Sequence, residues 1–429
     1  MGDFTHADAI EVRCWGRRVG AIVMDPGQGA YAFEYAPAWL KRGIELTPLM
    51  MPVDGATHPF IFPSLNRETY RGLPGLIADV LPDDFGSALI DAYMAGHGVD
   101  KRAITSLDRL AYMGKRGMGA LEFHPAQAAQ RDYPGALEMA SLVRVARDVV
   151  RGTISDDKES HDALSSIIRV GTSAGGARAK AVVALNLRTK ELRSGQFKVP
   201  AGFEHWLIKF DGIGPDIELG ESNSYGRIEF AYYTMARAAG IDMSPSEILE
   251  ENGRRHFMTK RFDRDGNAKH HVQTLCGMAH VDFKLRGTNS YSQLFQVIDQ
   301  LGLGVEAKQQ TFRRMAFNVA GRNCDDHTKN HSFLLREGGQ WELAPAYDIV
   351  FAYNPKGEWT YQHLMSVNGK WIDIRRSDLL KVADVHGVPH AVEILAGVNA
   401  AIAQWSDFAE AAAVPASDIA RIQEHLTKV

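Results

Sequence analysis

The stretch NCDDHTKNH occupies residues 323–331, and the tetrapeptide PAYD follows at residues 345–348. Charged and amide side chains crowd both segments. Phosphoryl transfer from a nucleotide needs an aspartate that positions the attacking hydroxyl, and Asn or Asp oxygens that hold magnesium on the phosphates. Asp325 fits the first role, and Asn330 and Asp348 fit the second. Asp325 and Asn330 are five residues apart, the spacing of the base and the metal-binding amide in a kinase catalytic loop.

A polar surface loop after the helix predicted at residues 309–319 is the alternative explanation of this stretch. A glycine-rich segment upstream favours the catalytic one. GTSAGGARAK, residues 171–180, offers backbone amides without large side chains, as a phosphate-binding loop requires. It does not match the Walker A pattern, because Ala177 and Arg178 follow its last glycine. A flexible turn between two strands would also explain this segment.

Lys209 is a lone cation in the apolar strand predicted at residues 206–210, WLIKF. Burying its charge is costly without an anionic partner such as a nucleotide phosphate. Glu229, at the start of the next helix, is a candidate partner, as the helix Glu is in protein kinases. Two simpler explanations stay open. Lys209 could lie at the edge of a sheet, and Glu229 could be an exposed residue that complements the helix dipole.

The segment MTKRFDR, residues 258–264, lies between the two predicted lobes. A nucleotide site needs such a connection, because its backbone groups can bind adenine and an apolar side chain can pack on the ring. We assign this role to Lys260, Arg261 and Phe262. A strand followed by a turn is the default interpretation of the same residues.

Composition limits the class of protein. With 429 residues, the chain is expected to form two or three domains. Hydrophobic residues at 45% and charged residues at 23% are typical of a globular protein. No stretch approaches the roughly 20 apolar residues that span a bilayer, so no membrane segment is expected. The net charge of −4 predicts no broad nucleic-acid surface.

The cysteines and histidines do not predict a metal centre. Three scattered cysteines favour neither a disulfide framework nor a thiolate zinc site, and they point to a reducing cytoplasm. Four potential ligands are close in sequence: His270, His271, Cys276 and His280. Their spacing fits neither HExxH nor a paired zinc-finger pattern.

The order of predicted elements divides the chain into three parts and indicates the α+β class. Alternation of Ile10, Val12 and Cys14 begins a β-rich region with short helices, assigned to residues 1–150. A polar run at residues 155–160 marks a domain boundary.

Strands are predicted at residues 167–170, 181–187 and 206–210, and they form a nucleotide-binding lobe assigned to residues 160–262. Helices dominate residues 263–429, which are predicted to be an all-α catalytic lobe. Its last apolar stripe has 3, 4, 3 spacing: Leu395, Val398, Ile402 and Trp405.

These motifs, in this order, resemble the HipA family of serine/threonine kinases, the toxins of bacterial toxin and antitoxin pairs. The resemblance covers nearly the whole chain, including GLPGLIADVLPDDFG at residues 72–86 and GKRGMGALEF at residues 114–123. It implies a two-lobed fold like that of protein kinases and PI3-kinases, with a β-rich N-terminal subdomain. The glycines at residues 114–119 are most simply a turn within that subdomain.

Carried over residue by residue, the resemblance implies that Asp325 is the catalytic base and that Asn330 and Asp348 bind magnesium. It implies ATP contacts for a larger set: Ser173, Ala174, Gly175, Gly176, Lys209, Arg261, Phe262, His327 and Lys329. Ser173 matches a serine that is autophosphorylated in the family, which ejects the loop and silences the kinase. Thr172 is a competing acceptor.

The chain departs from the family pattern at two places. Arg178 and Ala179 stand where some members have a Gln and an acidic residue, and Lys260 replaces a hinge Glu. If the hinge binds adenine through its backbone, Lys260 matters little, whereas Arg178 is expected to alter loop position or phosphate affinity.

The resemblance also implies partners. Family members phosphorylate translation factors, including aminoacyl-tRNA synthetases in some cases. A small helix-turn-helix antitoxin, of the HipB type, binds them and carries the complex to operator DNA. The near-neutral charge of this chain is consistent with DNA contact made mainly through such a partner.

Two other functions stay open. One is a metal-dependent phosphohydrolase whose metal cluster comprises Asp325, Asp326, His327 and Asp348, although a two-metal hydrolase usually needs more ligands. The other is a catalytically inactive module that binds a partner. The presence of Asp325, Asn330 and Asp348 together argues against inactivity.

Overall fold

A computed structural model describes residues 5–82, 84–95, 98–126, 179–211 and 224–429, with the single positions Leu142 and Ala146. The glycine-rich loop through Arg178, the strand predicted at 167–170 and the boundary at 155–160 lie outside the described residues.

The N-terminal region begins with a four-stranded antiparallel sheet. Its strands, in spatial order, are Ala30–Tyr35, Arg17–Asp25, Ala9–Cys14 and Leu121–His124. Ile10, Val12 and Cys14 are fully buried, as their alternation predicts. The first hairpin turns at Trp15 and Gly16, which both have positive φ, as a tight hairpin requires.

Short helices cover this sheet: Pro37–Leu40, Arg67–Tyr70, Gly75–Ala78, Asp84–Ala95 and Ser106–Met113, with a 3₁₀ turn at Lys101–Ala103. The Ser106–Met113 helix begins with a capping box, in which Thr105 and Asp108 each accept a backbone N–H from the other. Asp108 is thereby buried with its hydrogen bonds satisfied.

A second sheet has five antiparallel strands. In spatial order they are Leu192–Ser194, Lys180–Leu185, Glu204–Lys209, Arg254–Lys260 and Ser246–Glu251. The helix Tyr225–Ala238 packs on the last two strands and ends before Gly240. Gly226 permits this approach, since a Cβ there would lie 2.3 Å from the Arg255 carbonyl oxygen.

The C-terminal lobe is mainly helical: Leu275–Ala279, Tyr291–Gln300, Gly304–Ala320, Arg376–Val385, Ala391–Ile402, Trp405–Ala411 and Ala416–Gln423. The predicted α+β class is confirmed, but this lobe is not all-α. It also contains a small hairpin, Arg264–Asp265 with Ala268–Lys269, and a three-stranded sheet of His271–Thr274, Ser332–Leu335 and Trp341–Leu343.

Two hydrophobic cores flank the site described below. The N-terminal sheet and the five-stranded sheet share one core, which contains Ile10, Phe33 and Trp206. The helices of the C-terminal lobe enclose the other, which contains Phe317 and the whole predicted stripe from Leu395 to Trp405. In the described part of the chain, no helix is both long and apolar enough to cross a bilayer.

Candidate active site

A cleft of about 490 Å³ separates the five-stranded sheet from the C-terminal lobe. Every predicted site residue in the described ranges lines it: Lys209, Arg261, Phe262, Asp325, His327, Lys329, Asn330 and Asp348. Ser173, Ala174, Gly175 and Gly176 lie outside the described residues. Segments more than 100 residues apart in sequence therefore meet at the cleft, in the combination that the motifs predicted.

Lys209 lies at the end of a central strand, so the sheet-edge explanation is wrong. Its Nζ is 2.5 Å from Glu229 Oε1 and is also paired with Asp348. Glu229 is only 3% exposed, so it is not the solvated first-turn residue of the alternative explanation. Burial lowers the pKa of Lys209, but the two carboxylates outweigh burial and hold the pKa above its ordinary value. Lys209 is therefore charged.

Asp348 follows the Trp341–Leu343 strand and has a positive φ of 51°, an uncommon conformation for an aspartate. Its backbone oxygen accepts a hydrogen bond from Asn323 Nδ2 at 3.3 Å. Burial raises the pKa of its carboxyl, but Lys209 and Lys180 outweigh this and keep the pKa below its ordinary value. The carboxylate thus stays ionised at the cleft.

The catalytic-loop candidate turns sharply through the 3₁₀ helix Thr328–Asn330. The Asp325 side chain is 48% exposed, and its Oδ1 lies 3.8 Å from His327 Nε2. Asn330 Nδ2 donates to the Asp325 backbone oxygen at 2.8 Å. The Asn330 amide oxygen takes no part in this bond. Thr328 fixes the turn by donating to the Val281 carbonyl at 2.7 Å.

The donors at the cleft suit magnesium. Asp348 offers an ionised carboxylate and Asn330 an amide oxygen, both hard ligands. Within the described ranges, no three His, Cys, Asp or Glu side chains converge as a metal cluster. A cation held by one carboxylate and one amide would complete its shell with phosphate and water oxygens, as magnesium does in nucleotide sites.

The nearby histidines have structural partners instead. His271 Nε2 lies 3.0 Å from the Leu46 carbonyl, and His280 Nε2 accepts from Gly75 N at 3.1 Å. Cys276 contacts the Tyr70 hydroxyl. These contacts give His271, His280 and Cys276 roles in packing the N-terminal region against the C-terminal lobe.

Asp326, although adjacent to Asp325, is completely buried away from the cleft. It accepts hydrogen bonds from Leu364 N and Tyr291 Oη, both at 2.8 Å, and contacts His363 Nδ1 at 3.0 Å. The phosphohydrolase alternative therefore loses one of its four proposed metal ligands. In the sequence, the two neighbouring aspartates are distinguished only by the five-residue spacing between Asp325 and Asn330.

The connection between the lobes buries the side chain of Arg261. Its guanidinium is 1% exposed and donates from Nε and Nη2 to the Asp263 carboxylate, at 2.8 and 2.6 Å. The side chain is therefore committed to a buried ion pair, and only the backbone of Arg261 is suited to a nucleotide. Phe262 stacks with Tyr347, with ring centroids 5.8 Å apart, and presents an apolar surface to the cleft. Lys260, the departure from the family pattern, pairs with Glu204 at 2.5 Å.

His327 and Lys329 lie together against one aromatic ring at the cleft. The His327 ring centroid is 5.3 Å from that of Phe283, and Lys329 Nζ lies 5.0 Å from the Phe283 centroid. Lys329 can therefore present positive charge, and His327 an imidazole nitrogen, to an anionic ligand while their apolar parts pack on Phe283.

Sequence reasoning missed one wall of the cleft. The N-terminal region supplies it: Asp79, Val80, Leu81, Asp84 and Met118. Asp79 accepts from Thr274 N and Oγ1 at 2.6 and 2.7 Å. Gly119 N donates to Asp263 Oδ2 at 2.8 Å, so the turn at residues 114–119 is joined to the lobe connection. The available signal was the glycine cluster, which we interpreted only as a turn.

The comparisons with known proteins agree with this geometry. Residues 10–124 match the HipA N-terminal domain, and residues 172–428 match the HipA-like C-terminal domain. A relative named putative kinase Y4mE, from Sinorhizobium fredii, is 26% identical over 360 residues, covering 78% of this chain and 75% of the relative. The serine/threonine-protein kinase toxin HipA of Shewanella oneidensis is 21% identical over 367 residues, covering 80% and 74%.

A solved structure extends the likeness to the fold. It contains HipA of Shewanella oneidensis with HipB and operator DNA, and it matches with a TM-score of 0.67 at 19% identity. The match covers 97% of this chain and 95% of that one. Because both family domains match in order and the C-terminal one spans more than half of the sequence, the chain belongs to the HipA family.

Proposed function

We propose that this chain is an ATP- and magnesium-dependent serine/threonine protein kinase. The observation that carries the proposal is the pairing of Lys209 with Glu229 and Asp348, in the same cleft as Asp325 and Asn330. Phosphoryl transfer depends on positioning and charge stabilisation, and this set of groups is suited to both. The kinase names of the relatives support the same activity.

In the proposed reaction, a serine or threonine hydroxyl oxygen attacks the γ-phosphorus of ATP, and the bond from that phosphorus to the ADP oxygen breaks. Asp325 accepts the hydrogen bond of the hydroxyl and takes its proton. The carboxylate is suited to this role because it is half-exposed at the cleft, where a protein side chain can reach it. Lys209 contributes a fixed positive charge for phosphate oxygens.

Asp348 and Asn330 would hold magnesium, which supplies positive charge to the nucleotide phosphates when bound. The backbone of Arg261 would bind the adenine base of ATP, and the ring of Phe262 would pack on it. His327, Lys329 and the glycine-rich segment Ser173 to Gly176 would contribute to phosphate binding. The assignment of the glycine-rich segment rests on the family resemblance alone.

The substrate, regulation and partners follow the family pattern in this proposal. The substrate is a translation component, such as an aminoacyl-tRNA synthetase, and phosphorylation of Ser173 displaces the loop and inactivates the kinase. The related HipA was solved with HipB and operator DNA, which supports a HipB-like antitoxin and DNA contact through it. Peptide mapping after incubation with ATP tests the regulation, since phosphate should appear on Ser173 rather than Thr172.

Incubation of the purified chain with γ-labelled ATP and magnesium, with and without cell extract, tests the activity. We expect labelled protein from the wild type. Asp325→Asn should reduce transfer by roughly three orders of magnitude while retaining ATP binding, because it removes the proton acceptor. Asp384→Asn, an exposed change in the Arg376–Val385 helix, is the matched control and should leave transfer unchanged.

The same assay separates the alternatives. Free phosphate without labelled protein would favour the phosphohydrolase. Neither product would favour a partner-binding module. Near wild-type transfer by Asp325→Asn would show that this aspartate is not the base.

A further inference from the structure

The carboxylate of Asp326 is the centre of a buried polar network directly behind the catalytic loop. Besides Tyr291 Oη and His363 Nδ1, it accepts two backbone N–H groups, from Leu364 at 2.8 Å and Met365 at 3.3 Å. These donors come from the Tyr291–Gln300 helix, which precedes Asp326 in the sequence, and from a segment almost 40 residues after Asp326. One side chain thus ties the loop to two separate elements.

His363 makes this contact an ion pair. Its side chain is 3% exposed, its Nδ1 faces Asp326, and its Nε2 lies 3.9 Å from Cys324 Sγ. Burial lowers the pKa of His363, but Cys324 and Asp326 outweigh burial and raise it to about 10. His363 is therefore a charged donor at neutral pH. Breaking one side of such a buried pair is costly, because the other charge stays without a partner.

The network continues to the second proposed catalytic segment. Asn318 Nδ2 donates to Tyr291 Oη at 2.9 Å, and Asn323 Nδ2 donates to Asn318 Oδ1 at 3.0 Å. The same Asn323 Nδ2 lies 3.3 Å from the Asp348 backbone oxygen. Asn318 and Asn323 are both buried. A continuous set of hydrogen bonds thus connects Asp326 with the backbone of Asp348.

We propose that Asp326 and His363 are positioning residues, which hold the Asp325 carboxylate in register with Asp348 during phosphoryl transfer. This inference rests on the proposed kinase activity. Asp325 directly precedes Asp326 in the chain, so the hydrogen bonds that fix Asp326 also fix the backbone from which the half-exposed Asp325 carboxylate extends. A displacement of about 1 Å of a reacting group can lower a rate roughly 100-fold.

The test uses two substitutions of His363 in the full chain. His363→Leu removes the donor to Asp326, whereas His363→Asn keeps an N–H near the position of Nδ1. We expect kcat for protein phosphorylation to fall about 10- to 100-fold in His363→Leu, with partial recovery in His363→Asn. The Kd for ATP with magnesium should stay within about 3-fold of the wild type, since Lys209 and the lobe connection are untouched.

Two further variants keep the test decisive if His363→Leu folds poorly. Tyr291→Phe removes one donor to Asp326 and retains the ring, so it should lower kcat by a smaller factor at unchanged ATP affinity. Asp378→Asn changes another buried carboxylate, which caps the Arg376–Val385 helix and pairs with Lys370. It should lower thermal stability without lowering kcat, and thus serves as the control for a purely structural effect.

The outcomes are distinguishable. Absence of transfer by the wild type would overturn the proposed function and the positioning role with it. Transfer by the wild type with unchanged kcat in Tyr291→Phe and both His363 variants would overturn the positioning role alone. A loss of ATP affinity equal to the loss of kcat would also overturn it, because the network would then support the whole cleft.

Discussion

At the scale of single residues, the site depends on one cation shared by two carboxylates. Lys209, Glu229 and Asp348 come from a strand, a helix and a loop, and Lys209 pairs with both carboxylates. Under the proposed function, a lysine in this place both binds phosphate and connects the two lobes. Its substitution should therefore affect stability and binding together.

Lys209→Met should lower the free energy of unfolding by about 3 kcal/mol, because it leaves two carboxylates facing each other in a largely buried site. Urea unfolding measures this. Adding Glu229→Gln should recover part of the loss, giving a coupling energy in the double-mutant cycle. Lys260→Met is the matched control; its pair with Glu204 is about one-third exposed, so the cost should be below about 1 kcal/mol. Equal costs for the two lysines would contradict the argument.

The sequence predicts the role of a residue where its spacing from other residues is characteristic. It does not predict a role that depends on burial. Asp325 and Asn330 were predicted to act together because a catalytic loop needs an acid and an amide at a fixed interval, and both line the cleft. Asp326 has the same side chain as Asp325 and was grouped with it as a possible metal ligand. Only the packing of Tyr291 and His363 around it reveals its different role.

At the scale of elements, the Tyr225–Ala238 helix carries Glu229 to Lys209 and lies unusually close to the sheet. The approach occurs at Gly226, against the backbone of Arg255. The position of Glu229, one turn further along, follows from this contact. A side chain at position 226 should therefore shift the helix and move Glu229 relative to Lys209 at the proposed nucleotide site.

Gly226→Ala should destabilise the fold by roughly 1–3 kcal/mol, the usual cost of overpacking, and weaken ATP binding because the helix must shift. Gly397→Ala is the matched control, since this helical glycine has only one neighbour, at 3.9 Å, near the added Cβ. That change should be neutral or stabilising by about 0.5–1 kcal/mol. Thermal melts and ATP titrations of both variants provide the comparison. An unaffected ATP affinity in Gly226→Ala would show that the helix position does not control the site.

Long elements with clear periodicity were predicted well, and short buried ones were not. The Tyr225–Ala238 helix contains Glu229 near its start, and the strand Glu204–Lys209 overlaps most of the strand predicted at residues 206–210. Ser332–Leu335 was missed because four consecutive buried residues show no alternation, so the strand cannot be told from a loop or helix end. Its pairing with His271–Thr274 depends on contacts distant in sequence.

At the scale of the whole molecule, the N-terminal region and the kinase-like lobes are joined beside the cleft. Asp263 is completely buried there and binds Arg261, Arg264 and Gly119 N. Arg264 also donates to the Gly119 carbonyl at 3.0 Å. Met118, between these contacts and the cleft, is thereby held in its wall. Sequence periodicity could not predict this arrangement, because it links turns rather than regular elements.

Asp263→Asn should cost about 3–5 kcal/mol of stability, because Arg261 and Arg264 lose their shared anion. Burial raises the pKa of Asp263, but the two arginines outweigh burial and hold the pKa well below its ordinary value. The carboxylate therefore contributes stability above its unfolded pKa of about 4, and the contribution is lost as pH falls toward the folded value.

Urea unfolding at several pH values checks this prediction. The wild type and Asp263→Asn should differ most at neutral pH and converge as the solution is acidified below about pH 4. Asp265→Asn, two residues away and exposed, is the control and should change stability by less than about 0.5 kcal/mol. A difference that persists unchanged at low pH would mean that the carboxylate charge is not responsible.

The shared core of the two sheets has a consequence for biosynthesis. Trp15 donates to the Lys269 carbonyl at 2.8 Å, and Trp341 donates to the Glu45 carbonyl at 3.1 Å, so the first strands are completed by residues made much later. While the ribosome is still translating the middle of the chain, the part of this core that the five-stranded sheet completes stays open. Nascent chains that stall there would expose this surface to chaperones and proteases, which couples the survival of the N-terminal region to complete synthesis of the catalytic lobe.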